Sequence, residues 1–389
     1  VIKNFTRSGK LMLLAASVTA LAGCGTTAVS PSTPGSAIPY SVAPVPGHAL
    51  AGRFGASGTS LWLISESGLS ISDDGGLHWS TEALPDGVGA ASIADVSEIS
   101  NRRLWVAVPD ETGVHLYNRA AGAATWNSTY LVPTWPAEAG SPGPASSVAI
   151  TPGPGNLVTV VVSVPNGADG AFSSLFTSAD DGETFAEHPA SQDSPANVVW
   201  KHVTFVNPQS GLVVGGSTED LLLHTADGGA TWVAVPATGA PATNSFYLGE
   251  PVIVGSDLEV PLISLPSNGS DAGLLLLVSH DGGATFAGPT GPALDLSSAV
   301  NPAMASVGLV TWVAPNIGGK VFETADGGRT WTTITAPGLP TGVEVMTLTG
   351  PASATALIGL SGCPGFVPDC WTSAYVVATT DGGRTWRAV

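Results

Sequence analysis

The chain has 389 residues, among them 49 glycines and 31 prolines, and sets 12 lysines and arginines against 30 aspartates and glutamates. That acidity argues against nucleic acid and anionic lipid as surface partners and leaves cationic partners or divalent metal open. Val, Thr, Leu and Trp fill the runs between turn-forming residues, the composition of many short strands.

Residues 1–24 read as an export signal. Lys3, Arg7 and Lys10 form its basic start, and Leu11–Ala22 is an apolar run too short for a confident membrane span. The run ends in Leu21-Ala22-Gly23-Cys24, which resembles the lipobox of bacterial lipoproteins. The resemblance implies that Cys24 becomes the lipid-bearing N-terminus and ties an extracytoplasmic chain to a membrane of the cell envelope. An ordinary secretory signal with an incidental cysteine is the alternative. Nine basic residues follow this leader against all 30 acidic ones, a net charge near −21. Residues 25–47, rich in Ser, Thr, Pro and Ala, read as a semi-extended tether. Cys363 and Cys370 flank the short loop PGFVPD and are expected to form a disulfide, which export permits. Two cysteines with no nearby His make an incomplete metal site, so none is expected there.

A domain over residues 48–389 is organised by one stretch that recurs. It reads SDDGGLHW at Ser72–Trp79, SADDGETF at Ser178–Phe185 and TADGGATW at Thr225–Trp232. Further on it reads SHDGGATF at Ser279–Phe286, TADGGRTW at Thr324–Trp331 and TTDGGRTW at Thr379–Trp386. A decayed seventh copy, without its Asp, lies at Asn118–Trp126. The glycines supply the positive-φ positions of a tight turn. Asp74, Asp180, Asp227, Asp281, Asp326 and Asp381 are expected to accept backbone N–H groups within it, and the leading Ser or Thr to bond the same loop. Trp79, Phe185, Trp232, Phe286, Trp331 and Trp386 open the next strand and offer an apolar face. All twelve are assigned structural roles.

With Trp126 included, successive aromatic anchors stand 47, 59, 47, 54, 45 and 55 residues apart. A period near fifty fits a four-stranded blade with its loops. The fourth repeat is the cleanest. Val198–Val206 is its expected inner strand, Gly211–Gly216 the second, Leu221–Ala226 the third and Thr231–Pro236 the outer one. No segment after the leader carries a convincing helical period.

These motifs resemble the Asp-box, or BNR, repeats of sialidase-type propellers. The resemblance implies an all-β fold: a single seven-bladed β-propeller of four-stranded antiparallel blades, with each box at the blade periphery between third and fourth strands. The box therefore marks the fold and no reaction centre. A second resemblance lies in FVNPQSGLVVGGSTEDLLLHTADGGATW, Phe205–Trp232. It is similar to repeats of photosystem II assembly-factor propellers, which are non-enzymatic scaffolds. Those are generally richer in Arg on the binding face, so the scaffold role carries over and the photosynthetic one does not. How the ring closes is left open.

In such a fold, ligand is expected at the axial end opposite the boxes. Candidate contacts there are Trp135, Lys201, His202 and Asp220. Trp135 suits stacking on a sugar or peptide and equally suits capping the core; Lys201 and His202 lie on a predicted inner strand. A sialidase-type site needs three arginines to grip a carboxylate. Arg329 and Arg384 sit inside boxes, Arg387 is adjacent to one, and Arg102 and Arg103 open a second strand toward the same end. Arg53 stands in GRFG, without the family's Arg-Ile-Pro start. Asp110, Glu111, Glu219, Asp220, Glu250 and Asp271 could serve a two-carboxylate glycosidase, but their spacing singles out no pair. No nucleophile elbow, phosphate loop or His-Glu metal helix is present. The expected protein is a monomeric binding or scaffold propeller without catalytic residue, cofactor or metal, taking a protein or glycan ligand. The alternative is a glycoside hydrolase of the Asp-box class.

Overall fold

The computed structural model describes residues 49–389 apart from 58–59, 66–67, 100–102, 121, 136–144, 146, 167–169, 189–199, 216–220, 237, 239–244, 266–272, 289–292, 297–301, 316–317 and 363–370. Seven antiparallel blades follow one another over residues 49–82, 95–131, 147–188, 200–235, 245–295, 303–335 and 343–388. Blade 4 shows the pattern. Its strands run from Trp200–Phe205 at the inner edge through Gly211–Gly215 and Leu221–Thr225 to Val233–Val235 at the outer edge. Each pairs with its sequence neighbour.

The core lies between blades rather than within them. Every residue of Gly211–Gly215 is buried. Because side chains alternate across a strand, Val213 packs with Leu175 of blade 3 while Leu212 and Val214 pack with Leu258 and Leu262 of blade 5. Val160 and Val161 of blade 3 divide in the same way between blades 2 and 4. This is why the second strands read as unbroken apolar runs and not as an alternating pattern.

The box is a closed hydrogen-bond circuit. In blade 5 the Ser279 hydroxyl donates to Asp281 Oδ1 at 2.8 Å and accepts the Gly283 N–H at 2.7 Å. Asp281 also takes the Thr285 N–H at 2.9 Å and the Thr285 hydroxyl at 2.6 Å. The same bonds recur around Asp180, Asp227, Asp326 and Asp381, and His78 Nδ1 replaces the Thr hydroxyl at Asp74, 2.6 Å away. The fourth and fifth box positions both have positive φ, Asp181 being the non-glycine example at 57°.

The fifth-position glycine does more than turn the chain. In all six boxes it is buried, and it faces the preceding blade. A Cβ on Gly182 would overlap the Trp105 ring of blade 2, and one on Gly229 would stand 2.9 Å from Leu175 of blade 3. At Gly383 the neighbour is Trp312 of blade 6, at 3.3 Å. The series continues across the ring's seam, where a Cβ on Gly76 would lie 2.8 Å from Val376 of blade 7. The last blade draws its short outer strand, Arg387–Ala388, from its own repeat. One bridge, Ala49 to Thr372, links first and last blades. That bridge sets the start of the first blade beside the third strand of the last and joins the two blades into one eight-stranded sheet, so closure combines backbone pairing at the seam with face packing.

Blade 2, with the decayed copy, joins its predecessor differently. Arg119 is only 9 % exposed and pairs with Glu82 of blade 1. Its guanidinium lies 4.7 Å over the Trp126 ring, whose Nε1–H donates to the Ala83 carbonyl at 3.1 Å. An ion pair and an indole bond thus stand where other blades seat a glycine.

Candidate functional site

The inner strands surround a cavity of about 810 Å³, to which all seven blades contribute. Its wall mixes polar surface with apolar side chains, among them Trp62, Ile253, Met304, Met346 and several prolines. Thr204 comes from blade 4, and two carboxylates, Asp95 and Glu250, come from blades 2 and 5.

Each carboxylate has a local reason for its position. Asp95 heads the inner strand Asp95–Ile99. Its Oδ1 accepts the Val96 N–H at 2.9 Å, and its Oδ2 reaches across to blade 3 for the Ile150 N–H at 2.6 Å. Burial pushes the Asp95 carboxyl up to about 6; the two backbone donors oppose that rise and the nearby Glu250 charge adds to it. Glu250 sits in a break. Gly249-Glu250-Pro251 splits the inner edge of blade 5 into Ser245–Leu248 and Val252–Val254. The Gly249 N–H still reaches the Pro261 carbonyl at 2.8 Å, whereas Pro251 has no N–H to offer the ladder. Glu250 is exposed along the channel.

The sequence-derived candidates distribute unevenly. Lys201 is exposed and His202 half-buried, at an irregularity in the register between Trp200 and His202. Neither is among the residues lining the cavity. Trp135 packs on the core shared by blades 2 and 3. It borders a shallow depression beside Asp110 and Glu111. Asp220, Cys24, Cys363 and Cys370 lie outside the described residues. So do Glu219, Asp271 and Arg102.

Asp110 belongs to a clasp at the end of blade 2. Its Oδ1 accepts the Thr112 and Gly113 N–H groups, both at 2.8 Å, and its Oδ1 and Oδ2 receive the Tyr130 hydroxyl at 2.8 and 3.0 Å. His115 Nε2 stands 3.2 Å from Oδ2. Arg103 donates to Asn118 at 2.7 Å, and Arg384 to the Asp381 carbonyl at 2.8 Å. Among the described residues, no arginine lines the channel.

Sequence reasoning counted Glu250 among many carboxylates and passed over Asp95. One signal was available: Asp95 is a charged residue at the head of an inner strand whose counterparts begin with Ser, Trp, Ala or Val.

No family model matches the chain, and no curated protein matches it. Solved structures similar to it share the propeller architecture. One is YCF48 bound to D1 peptide, 17 % identical over 76 % of this chain and 80 % of that one, TM-score 0.47. Another is a PL25 ulvan lyase, 9 % identical over 88 % and 95 %, TM-score 0.49. A third is the Hadza microbial sialidase Hz136, 14 % identical over 73 % and 65 %, TM-score 0.43. At these identities the likeness is one of fold alone.

Proposed function

We propose that the chain is an extracytoplasmic propeller, held to a bacterial membrane by lipid on Cys24, that binds a protein or glycan at its axial face as a scaffold. The reading rests on the channel. Its described lining is apolar apart from a few hydroxyls and two carboxylates, and holds no Arg, Lys or His. Both oxygens of Asp95 serve backbone N–H groups, one on the neighbouring blade. That use ties blades 2 and 3 together and commits both Asp95 oxygens to the backbone. The anchor rests on Leu21–Cys24 alone.

A second reading, glycoside hydrolysis, is favoured by the meeting of Asp95 and Glu250 in one cavity. A carboxyl raised to about 6 beside a second carboxylate is the arrangement from which a general acid is drawn. One experiment separates the two. The soluble domain from Gly25 onward is used to capture partners from membranes, and the same material is assayed for release of reducing ends from a polysaccharide panel. Specific capture, lost in Glu250→Lys, without turnover supports the scaffold. Turnover abolished by Asp95→Asn replaces it with the hydrolase. Cys24→Ser in cells is expected to abolish acyl labelling and membrane sedimentation; retention of both would remove the anchor.

A further inference from the structure

An aspartate followed by glycine is open to succinimide closure, because no Cβ shields the attacking amide. Seven such pairs lie among the described residues, and six of them belong to boxes. Their aspartates are Asp74, Asp181, Asp227, Asp281, Asp326 and Asp381; the seventh is Asp86, followed by Gly87. Asp169, of an eighth pair, lies outside the described residues.

The boxes occupy the reacting groups. Five of the six carboxylates are the clasped box aspartates. At Asp227, Oδ1 accepts the Thr225 hydroxyl and the Thr231 N–H, and Oδ2 takes the Thr231 hydroxyl at 2.6 Å. The attacking nitrogen is committed as well, since the Gly228 N–H donates to the Gln209 carbonyl at 2.8 Å. Gly382 repeats this with the Ala352 carbonyl, also at 2.8 Å. In the remaining box the pair is Asp181-Gly182, one place after the clasped Asp180, and Gly182 gives its N–H to the Ser178 hydroxyl at 2.7 Å. A carboxylate also resists attack until it is protonated. The Thr hydroxyls of the clasps hold Asp227, Asp281 and Asp381 down at about 2.

Asp86 has none of this. It follows the outer strand of blade 1, Ser80–Glu82, in the connection to blade 2 at the end of the ring opposite the boxes. Asp86 and Gly87 are both exposed, while Pro85 is buried. One bond spans the turn, from the Val88 N–H to the Pro85 carbonyl at 3.0 Å, and it uses neither reacting group. Among the described residues, the Asp86 carboxylate and the Gly87 N–H take part in no hydrogen bond or ion pair. Gly87 has φ 78°, and a Cβ there would find nothing within 4 Å.

We propose that Asp86-Gly87 is the site at which the folded chain isomerises to isoaspartate. The Gly87 amide nitrogen attacks Cγ of the protonated Asp86 carboxyl and forms a C–N bond. The carboxyl hydroxyl and the amide proton leave as water, closing a succinimide. Water then adds to either ring carbonyl. Addition at Cγ restores aspartate, and addition at the α-carbonyl routes the main chain through Cβ. The product has the mass of the starting chain, and no oxidant or reductant takes part. It carries one more backbone methylene in a connection on the axial face, so ageing changes that face while the boxes stay intact. The inference stands whichever reading of the channel holds.

The full chain is incubated folded in mildly acidic buffer and, in parallel, in unfolding urea. Cleavage after Glu82 and Glu98 frees the peptide 83–98, which holds Asp86 and no box residue. Electron-transfer fragmentation locates isoaspartate within it. In the folded chain, isoaspartate is expected at Asp86 roughly tenfold or more faster than at any box pair, because a clasp must open before its carboxyl can react. In urea the box pairs are expected to approach the rate at Asp86. Gly87→Ala is expected to slow the reaction. Asp86→Glu is expected to abolish it, since closure would then need a six-membered ring. The Asp86→Glu result decides the matter should Gly87→Ala, strained at positive φ, fail to fold. A folded-chain rate at Asp86 no higher than at the boxes overturns the proposal. So does isoaspartate in peptide 83–98 that survives Asp86→Glu, which would place it at Asp95, or an Asp86 that reacts only in urea.

Discussion

Gly182→Ala tests the claim that the box glycine is an inter-blade contact as well as a turn residue. Gly182 has φ 81°, where an L side chain costs about 1–2 kcal/mol. Its added Cβ would also overlap Trp105, a fully buried ring. That ring cannot step aside cheaply, because Phe185 meets it edge-on at 6.4 Å and the core of blades 2 and 3 surrounds it. Overpacking of this kind costs about 1–3 kcal/mol. Gly122 is the internal control. It has φ 76°, nearly the same strain, but a Cβ there would find nothing within 4 Å. The expected losses are about 1–2 kcal/mol for Gly122→Ala and about 2–5 kcal/mol for Gly182→Ala. Equilibrium urea unfolding of both variants, compared at unchanged m, reads the difference directly. Equal losses would refute the reasoning, leaving the glycine a turn residue and nothing more.

Glu82→Gln leaves Arg119 buried without its partner and is expected to cost about 3 kcal/mol by the same assay. Much of that loss should return in Glu82→Leu/Arg119→Met. Glu250→Gln removes the charge that helps to raise Asp95, so the Asp95 carboxyl resonance should titrate at a lower pH in the variant; an unchanged midpoint would separate the two groups. Thermal stability should peak between about pH 4 and pH 6. The carboxyls of Asp180, Asp227, Asp281 and Asp381 are held down at about 2, first by the Thr hydroxyls. Their contribution is full above the ordinary value of 3.8 and is lost as pH falls toward 2. Asp95 runs the other way. Its folded-state value of about 6 means stability is gained as pH falls through 6. Thr285→Val should soften the acid limb, read as the fall in Tm below pH 4.

The contrast between box and channel shows why the fold was legible and the site was not. Each box bonds within itself: Asp281, Ser279, Gly283 and Thr285 span seven residues, so residue types and spacing carry the whole circuit. Six copies then set the period, and the period sets the blades. What the glycine touches lies one blade away, Trp105 being far from Gly182 in sequence, and no local rule reports it. The same holds where blade 2 departs from the rule. Arg119 and Glu82 stand 37 residues apart, and their pairing depends on two blades lying side by side. Asp95 and Glu250 belong to blades 2 and 5, separated around the ring by two blades. They meet only because the inner strands converge on one axis, and because Pro251 breaks a strand that otherwise resembles its neighbours. Repetition makes a propeller readable because every blade must satisfy the same geometry. Chemistry in such a ring depends on the positions where one blade differs from the rest, and one sequence marks those only as irregularities. Asp95 and Glu250 are such positions, and Glu250 sits in blade 5, the blade whose inner edge is broken.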